Sequence, residues 1–418
     1  MSGRYAGRAK ENGVKREIVV VGGGLAGHAA ALGFARAGFD TLLLAPEPPA
    51  DSRTTALIGP SLDILDELGV WPVLRQKAQD LCVMRLVDDT GRLLRAPTAE
   101  FRASEIGLHA FGANVANSDL LAALRGAGGR DAGLETLPDT LETLEPKGGC
   151  VRLRTRGGTI IEAALVVGAD GRRSTVRDQA GIGQRRWSYP QGAVVLNMRH
   201  EGDHGATSTE FHTRHGPFTQ VPLPGRRSSL VWVDEPRVME LLPDLEPERL
   251  SRLVEERMHS ILGRIEIEPG IQSFPMSGGH AHMLAASRVA LVGEAAHHFP
   301  PIGAQGLNLG LRDAAAIVEA ASGHRDDPGA DTVLAAYRAA RRIDVTTRSN
   351  GIDLLNRSLL ADFLPSQWAR AAGLSALTAV GPLRRFAMRE GVSPGSGLRA
   401  LLPAVLQGDR GRALQRER

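Results

Sequence analysis

What the chain has little of narrows the possibilities first. Its 418 residues include two cysteines, Cys82 and Cys150, and neither sits in a CxxC or Cys/His spacing. That rules out a disulfide framework and a zinc-type cluster, and the pair reads as reduced, mostly buried thiols of a cytosolic protein. A formal net charge of +3, from 50 basic and 47 acidic side chains, is too balanced to draw the chain onto nucleic acid. No apolar run approaches the roughly 20 residues that cross a bilayer. The N-terminal stretch MSGRYAGRAKENGVKRE is polar and basic and lacks the apolar core of a signal peptide, so a cytoplasmic location is expected. Aromatic residues are 4% of the chain and only three are tyrosines, Tyr5, Tyr189 and Tyr337, so a tyrosine proton relay has few candidates. Internal repeats and low-complexity segments are also missing.

Glycine, by contrast, is plentiful and placed with purpose. Arg288–Asp313 reads RVALVGEAAHHFPPIGAQGLNLGLRD. It predicts a buried strand over Val289–Val292, a break at Gly293 and an acid at Glu294. Two prolines and two spaced glycines then lead into a helix carrying Leu307, Leu311 and Ala315. A strand ending in an acid and a glycine-rich helix entry suits a phosphorylated ligand, because free N–H groups at the helix start face the anion. About 270 residues upstream, Glu17–Val21 predicts another buried strand, followed by Gly22-x-Gly24-x-Ala26-Gly27, a helix over His28–Ala37 and a strand over Thr41–Leu44. This β-α-β unit carries the dinucleotide-binding glycine pattern. The first glycine makes the turn, the second admits a pyrophosphate, and the third lets helix and strand pack. Two such elements far apart suggest one long ligand held at both ends.

Further candidates are weaker alone. The acid that usually meets the adenosine ribose falls by register at Ala45, with Glu47 as a substitute or simply a solvated loop acid. Arg53, in Asp51-Ser52-Arg53, reads as a pyrophosphate clamp or a helix-entry salt bridge. Asp170-Gly171 follows a short strand over Leu165–Val167, and Asp170 would accept from a ligand hydroxyl or cap the next helix. His297 and His298 are more often structural than catalytic in such a turn.

Other segments predict a helix over Ser61–Leu68, a hairpin pairing Leu81–Val87 with Arg92–Arg95, and a helix from Asn117 to Leu124 capped by Ser118. A further hairpin joins Val151–Arg156 to Thr159–Ala163. Short alternating strands fill 181–277 (Gly192–His200, Thr207–His212, Phe218–Pro222, Ser228–Val233), interrupted by a helix over Glu246–Ile261, and predict an antiparallel sheet. Beyond Asp313 the pattern is helical. The fold class is therefore α/β. A discontinuous Rossmann-like, dinucleotide-type domain (17–76, 113–180, 281–322) holds a mainly antiparallel β-rich insertion (77–112, 181–280). A flexible tail (1–16) precedes it and a helical region (323–418) follows.

In this order the three segments resemble the FAD-dependent aromatic monooxygenases of the p-hydroxybenzoate hydroxylase type. The late motif reads Gly293-Glu294-Ala295-Ala296-His297, Pro300-Pro301, Gly303, Gly306-Leu307-Asn308. Asp51-x-Arg53-x-x-Ala56-Leu57, Gly216-Pro217-Phe218, Gly303–Asp313, Tyr337…Arg341…Asp344 and Asp353–Arg357 resemble the ubiquinone-biosynthesis hydroxylases within that group. The resemblance implies that Gly22, Gly24, Ala26, Gly27 and Arg53 serve the ADP half of FAD. Asp170 and Gly171 would lie near the flavin and the path of NAD(P)H. Gly293 and Glu294 would hold the ribityl chain and phosphate, and Pro301, Gly303, Gln305, Gly306, Leu307 and Asn308 would border the flavin ring. Glu294 stands where the wider group has Asp, and Ala45 where an acid is usual. The implied reaction takes electrons from NAD(P)H, uses O₂ and hydroxylates an electron-rich, lipophilic phenol, with no metal. A base for the phenol is expected, but no residue presents itself as that base. A prenylated phenol would draw the protein to the membrane surface, with Leu359, Leu360, Phe363, Leu364, Trp368 and Leu374 as a contact face or as ordinary helix packing. Membership of a biosynthetic complex is a further implied possibility. Two rival readings are a soluble hydroxylase of small phenolic acids, using Arg199 or Arg214, and a flavin-binding accessory protein of a quinone-biosynthesis complex.

Overall fold

The computed structural model describes residues 13–91, 96–300, 305–342, 344 and 380–392. Its first sheet has the strand order 285–286, 289–291, 160–168, 14–21, 41–44, 134–137. Val14–Val21 runs parallel to both Thr41–Leu44 and Ile160–Gly168, and Ile160–Gly168 runs parallel to Val289–Leu291. All-apolar runs suit these central strands because both faces are covered. Ile18, Val20, Leu43, Leu165 and Val167 pack on one face against helices Leu25–Arg36 and Gln305–Ser322 and the helix at 331–342. Val19, Val21, Leu42, Leu44 and Val166 pack on the other against the antiparallel ribbon Leu141–Lys147 and Cys150–Thr155. The period-2 alternation of strand side chains thus feeds two cores at once.

A second, larger sheet has the order 297–298, 272–281, 184–200, 227–234, 217–223, 207–212, 83–88, 99–102. Its pairings are antiparallel except Thr207–His212 with Val83–Asp88. One face is apolar (Leu196, Phe211, Phe218, Leu230, Trp232) and is covered by helices Pro236–Leu241 and Pro247–Arg257. The opposite face lines a cleft. A small sheet of Thr54–Ile58, Gly112–Ala116 and Gln79–Asp80 links the two. Thr54 Oγ1 donates to Ser229 Oγ at 2.8 Å and Asn114 Nδ2 to the Pro222 carbonyl at 2.9 Å.

The structure corrects several local expectations. Val83–Asp88 pairs with Ala99–Arg102, so the strand partner lies beyond 92–95, which fall outside the described residues. Ser118 does not cap its helix; the helix starts at Asn117, preceded by Ala116, with no side-chain cap. Leu165–Val167 is no separate strand but the end of Ile160–Gly168, the longer strand that begins in the hairpin. The helix expected over Glu246–Ile261 is Pro247–Arg257. Cys82 and Cys150 are free but only half-buried. Tyr5, Leu359–Leu374 and the 353–357 motif lie outside the described residues.

Candidate active site

A cleft of about 1330 Å³ runs from the Gly22–Ala26 turn, past Gly171 and Glu294, to the floor of the second sheet at Val195, Val221, Val231 and Phe274. It exceeds the roughly 300–1,000 Å³ of a pocket for one small ligand, so a dinucleotide and a second molecule both have room. At its first end the glycines do different work. Gly22 has φ 120°, and a Cβ there would strike the Ala169 carbonyl; Gly27 would strike the Gly22 carbonyl. Those two fix the backbone. Gly24 has ordinary β-region angles (φ −76°, ψ 177°), and a Cβ there would meet no protein atom within 4 Å. Its side faces open space, which fits a pyrophosphate lying against the helix start.

Ala45 is not the cleft-facing position at the end of its strand. It is 5% exposed, belongs to the core under the helices, and lies 2.9 Å from where a Gly23 Cβ would be. Glu47 faces the cleft instead, bound by Arg125 at 2.8 and 3.1 Å. Arg53 lines the cleft in a two-point pair with Asp51, with Nε and Nη2 each at 2.8 Å. That pair raises the Arg53 pKa despite the opposing effect of burial. Asp51 also accepts from Asn117 Nδ2 at 2.9 Å. Ser174, not Asp170, caps the next helix by accepting the Arg177 N–H at 2.9 Å; Asp170 backs that cap, accepting from Ser174 Oγ at 2.5 Å and from the Val176 N–H at 3.1 Å. Its burial raises its pKa, with these bonds opposing. Gly171 stays on the cleft wall.

At the second end Gly293 has φ 58°, and a Cβ there would come within 3.1 Å of Ala26 Cβ, so the late turn presses on the dinucleotide turn. Its N–H donates to Asp313 Oδ2 at 3.1 Å. Glu294 lines the cleft and pairs with Arg172 at 3.0 Å. Gln305, Gly306 and Leu307 also line it, while Pro301 and Gly303 lie outside the described residues. Asn308 stands behind the wall, receiving the Ile58 N–H at 3.0 Å and donating to the Ala56 carbonyl at 2.8 Å. His297 is buried against Asp313, with Nε2 to Oδ2 at 2.7 Å, and Arg341 Nε reaches Asp313 Oδ1 at 2.7 Å. These are framework bonds. Burial depresses the His298 pKa to about 4, helped by Arg172, so His298 is neutral near pH 7. Tyr337 donates to the buried Leu291 carbonyl at 2.7 Å, which removes it as a relay in the cleft, and Tyr189 Oη accepts from Trp187 Nε1.

Sequence reading missed Arg177, which is 1% exposed and donates to the Arg172 and Ala295 carbonyls, stapling the Gly171 turn to the Gly293 turn. It also missed the carboxylate of Glu210 on the cleft floor. The period-2 alternation of Ser208, Glu210 and His212 was the available signal.

The comparisons with known proteins agree with this geometry. The model of the FAD binding domain family matches residues 15–348. Ubiquinone hydroxylase UbiL of Rhodospirillum rubrum is 34% identical over 385 residues, covering 89% of this chain and 88% of that protein. The 3-demethoxyubiquinol 3-hydroxylase of Escherichia coli is 32% identical over 392 residues, covering 89% of this chain and 97% of that protein. Among solved structures, p-nitrophenol 4-monooxygenase PnpA from Pseudomonas putida aligns with a TM-score of 0.75 at 21% identity, covering 90% of this chain and 97% of that one. At that identity the likeness speaks for the fold. The glycine turn open at Gly24, the second glycine turn pressed against it and the length of the cleft all suit FAD. The chain belongs to the FAD-binding-domain family of flavoprotein monooxygenases, in the group that contains the ubiquinone hydroxylases.

Proposed function

We propose that this protein hydroxylates a polyprenylated phenol in ubiquinone biosynthesis, using FAD, NAD(P)H and O₂. The observation that carries the reading is the continuity of the cleft. It joins a dinucleotide-type glycine turn, without a break, to a sheet face where Val195, Val221, Val231 and Phe274 alternate with polar side chains. Relatives named as ubiquinone hydroxylase and 3-demethoxyubiquinol 3-hydroxylase, similar along most of their length, support the substrate class.

In this reading Gly22, Gly24, Ala26 and Gly27 take the pyrophosphate side of FAD, and Arg53 adds a cation there. Gly293 and Glu294 take the ribityl side. Gln305, Gly306 and Leu307 border the ring, and Asn308 fixes that wall from behind. When bound, FAD supplies the redox and oxygen-transfer chemistry. The protein's own part is to orient the phenol, keep water out and favour the electron-rich form of the ring. Val195, Val221, Val231 and Phe274 give an apolar bed for that ring.

The small-acid alternative calls for a cation free to meet a carboxylate. Arg199 and Arg214 are outside the cleft lining; Arg199 pairs with Glu268 and Arg214 donates to the Thr90 carbonyl. Arg85 lines the cleft but is held by Glu100 at 2.8 Å. Arg199, Arg214 and Arg85 are thus poorly placed to bind a substrate carboxylate. No helix among the described residues is long and apolar enough to cross a membrane. A peripheral contact at the inner membrane face fits exposed Val380 and Leu383 at helix Gly381–Val392, which packs near Phe101, the strand partner of the cleft-lining Met84. Deleting the gene and analysing lipid-soluble phenols by mass tests the assignment. Loss of the quinone with one accumulating phenol is expected, and unchanged quinone refutes it.

A further inference from the structure

The reaction needs a proton acceptor for the phenol, and sequence motifs offer none. The strand Thr207–His212 supplies a candidate. Phe211 faces the core under helix Pro247–Arg257, whereas Ser208 and Glu210 face the cleft. Glu210 is 18% exposed and His212 13%. His212 Nε2 lies 2.7 Å from Glu210 Oε1, and Thr219 Oγ1 donates to Oε2 at 3.2 Å. The register sets Leu86 and Thr219 on either side of Glu210, and Val221 and Val231 on the next strands add apolar side chains to the floor. Burial alone would raise the Glu210 carboxyl pKa, but the His212 bond outweighs it and holds the group below the ordinary glutamate range.

Other polar groups of this floor are committed. Ser208 donates to the Gln220 carbonyl, Ser229 Oγ accepts from Thr54, and Gln272 donates to Ser52 Oγ. Asp51 carries Arg53 and Asn117. A carboxylate has about four lone-pair sites, and the hydrogen bonds from His212 and Thr219 leave Glu210 room to accept one more. The charged groups around it are few. His212 shares its strand. On the neighbouring strand Arg85 is held by Glu100, and Asp88 accepts from Thr90 and the Ala96 N–H.

We propose that Glu210 is the catalytic proton acceptor for the substrate's ring hydroxyl, with His212 as the positioning residue behind it. This rests on the reading that the cleft takes a phenol. A carboxylate is too weak a base to ionise a resting phenol. It becomes adequate as the ring gives up electron density while the new C–O bond forms. The phenol O–H bond breaks as an O–H bond forms on Glu210, and the freed electron pair enters the ring. The ring carbon bonds to one oxygen atom of O₂ as the O–O bond breaks, and the other atom leaves as water; NAD(P)H supplies the two electrons and is oxidised to NAD(P)⁺. That carbon then loses its C–H proton to water, and Glu210 returns its proton to the original phenol oxygen.

The test compares wild type, Glu210→Gln and His212→Asn as FAD-loaded proteins, each with a prenylphenol substrate and with 4-nitrophenol as a bound colour probe. Glu210→Gln preserves shape and the Thr219 contact. Its kcat should fall about 10²-fold or more, as general-base loss does, with KM changed less than about threefold. An ionised Glu210 opposes a neighbouring phenolate, so the bound probe should turn yellow at least about one pH unit lower in Glu210→Gln than in wild type. His212→Asn removes the bond that keeps Glu210 ionised, so the acid limb of its kcat profile should move to higher pH. A merely structural role would move neither the probe nor that limb. Wild-type turnover matched by Glu210→Gln, or an unshifted probe, overturns the role of Glu210 alone. Failure of wild type to bind the probe or to turn over any phenol overturns the phenol reading and the proposal together.

Discussion

Removing the carboxylate of Asp313 should cost several kcal/mol and loosen the Gly293 end of the cleft. Asp313 is fully buried and accepts from the Gly293 N–H, His297 Nε2 and Arg341 Nε. Burial would raise its pKa, but His297 and Arg341 more than reverse that and set it at about 2, against an ordinary 3.8. At about 1.4 kcal/mol per pH unit, the depression is worth on the order of 2 kcal/mol of stability. Because the folded-state pKa is the lower one, this stability is present above about pH 4 and is lost as pH falls toward 2. In Asp313→Asn the Arg341 guanidinium, only 5% exposed, keeps Asp344 on Nη1 but loses the carboxylate on Nε. Breaking a buried pair costs about 3–5 kcal/mol, and the retained Asp344 contact puts this case at the lower end, about 3 kcal/mol. With a urea slope of about 3 kcal/mol/M, the unfolding midpoint should drop by about 1 M or more at neutral pH, read by tryptophan fluorescence. The variant should also lack the wild type's loss of stability between pH 4 and 2. A midpoint shift below about 0.3 M, or the same acid slope in both proteins, would refute the reasoning.

Three further outcomes separate ligand contacts from framework. Gly24→Ala meets no protein atom and needs no unusual backbone angle, so apo stability should stay within about 0.5 kcal/mol while FAD affinity falls tenfold or more, measured by flavin fluorescence. Glu294→Ala breaks only a half-exposed pair with Arg172, worth less than about 1 kcal/mol, yet the purified protein should carry less yellow flavin. Asp170→Ala removes a helix-start acceptor and should cost about 1 kcal/mol in denaturation of the apoprotein.

Some of this was legible in the sequence because single residues carry it. Gly22 and Gly27 each answer a separate steric demand, and the Ile18–Val21 and Leu42–Leu44 runs are apolar on both faces. The signature residues Asp313, Tyr337, Arg341 and Asp344 were visible as a pattern, but their meaning was not. They form one buried network that braces the Leu291–Gly293 turn, and only three-dimensional packing joins positions that far apart. The same holds for Ala45. Counting along a strand could not say which side chain turns into the core, and the answer, that Glu47 faces the cleft, depends on Gly23 lying against Ala45. Asp170 and Asn308 carry polar side chains in motif positions, yet both are held by backbone groups. Glu210 sits on a strand with no motif at all, and its importance comes from the cleft floor around it.

The most direct test of the central claim is to incubate the FAD-loaded protein with NAD(P)H, a prenylated phenol and isotope-labelled O₂, and to weigh the product. A hydroxylated phenol carrying one labelled oxygen atom, with NAD(P)H consumed only when the phenol is present, is the predicted result. Consumption that ignores the phenol, or a product whose new oxygen comes from water, would contradict it.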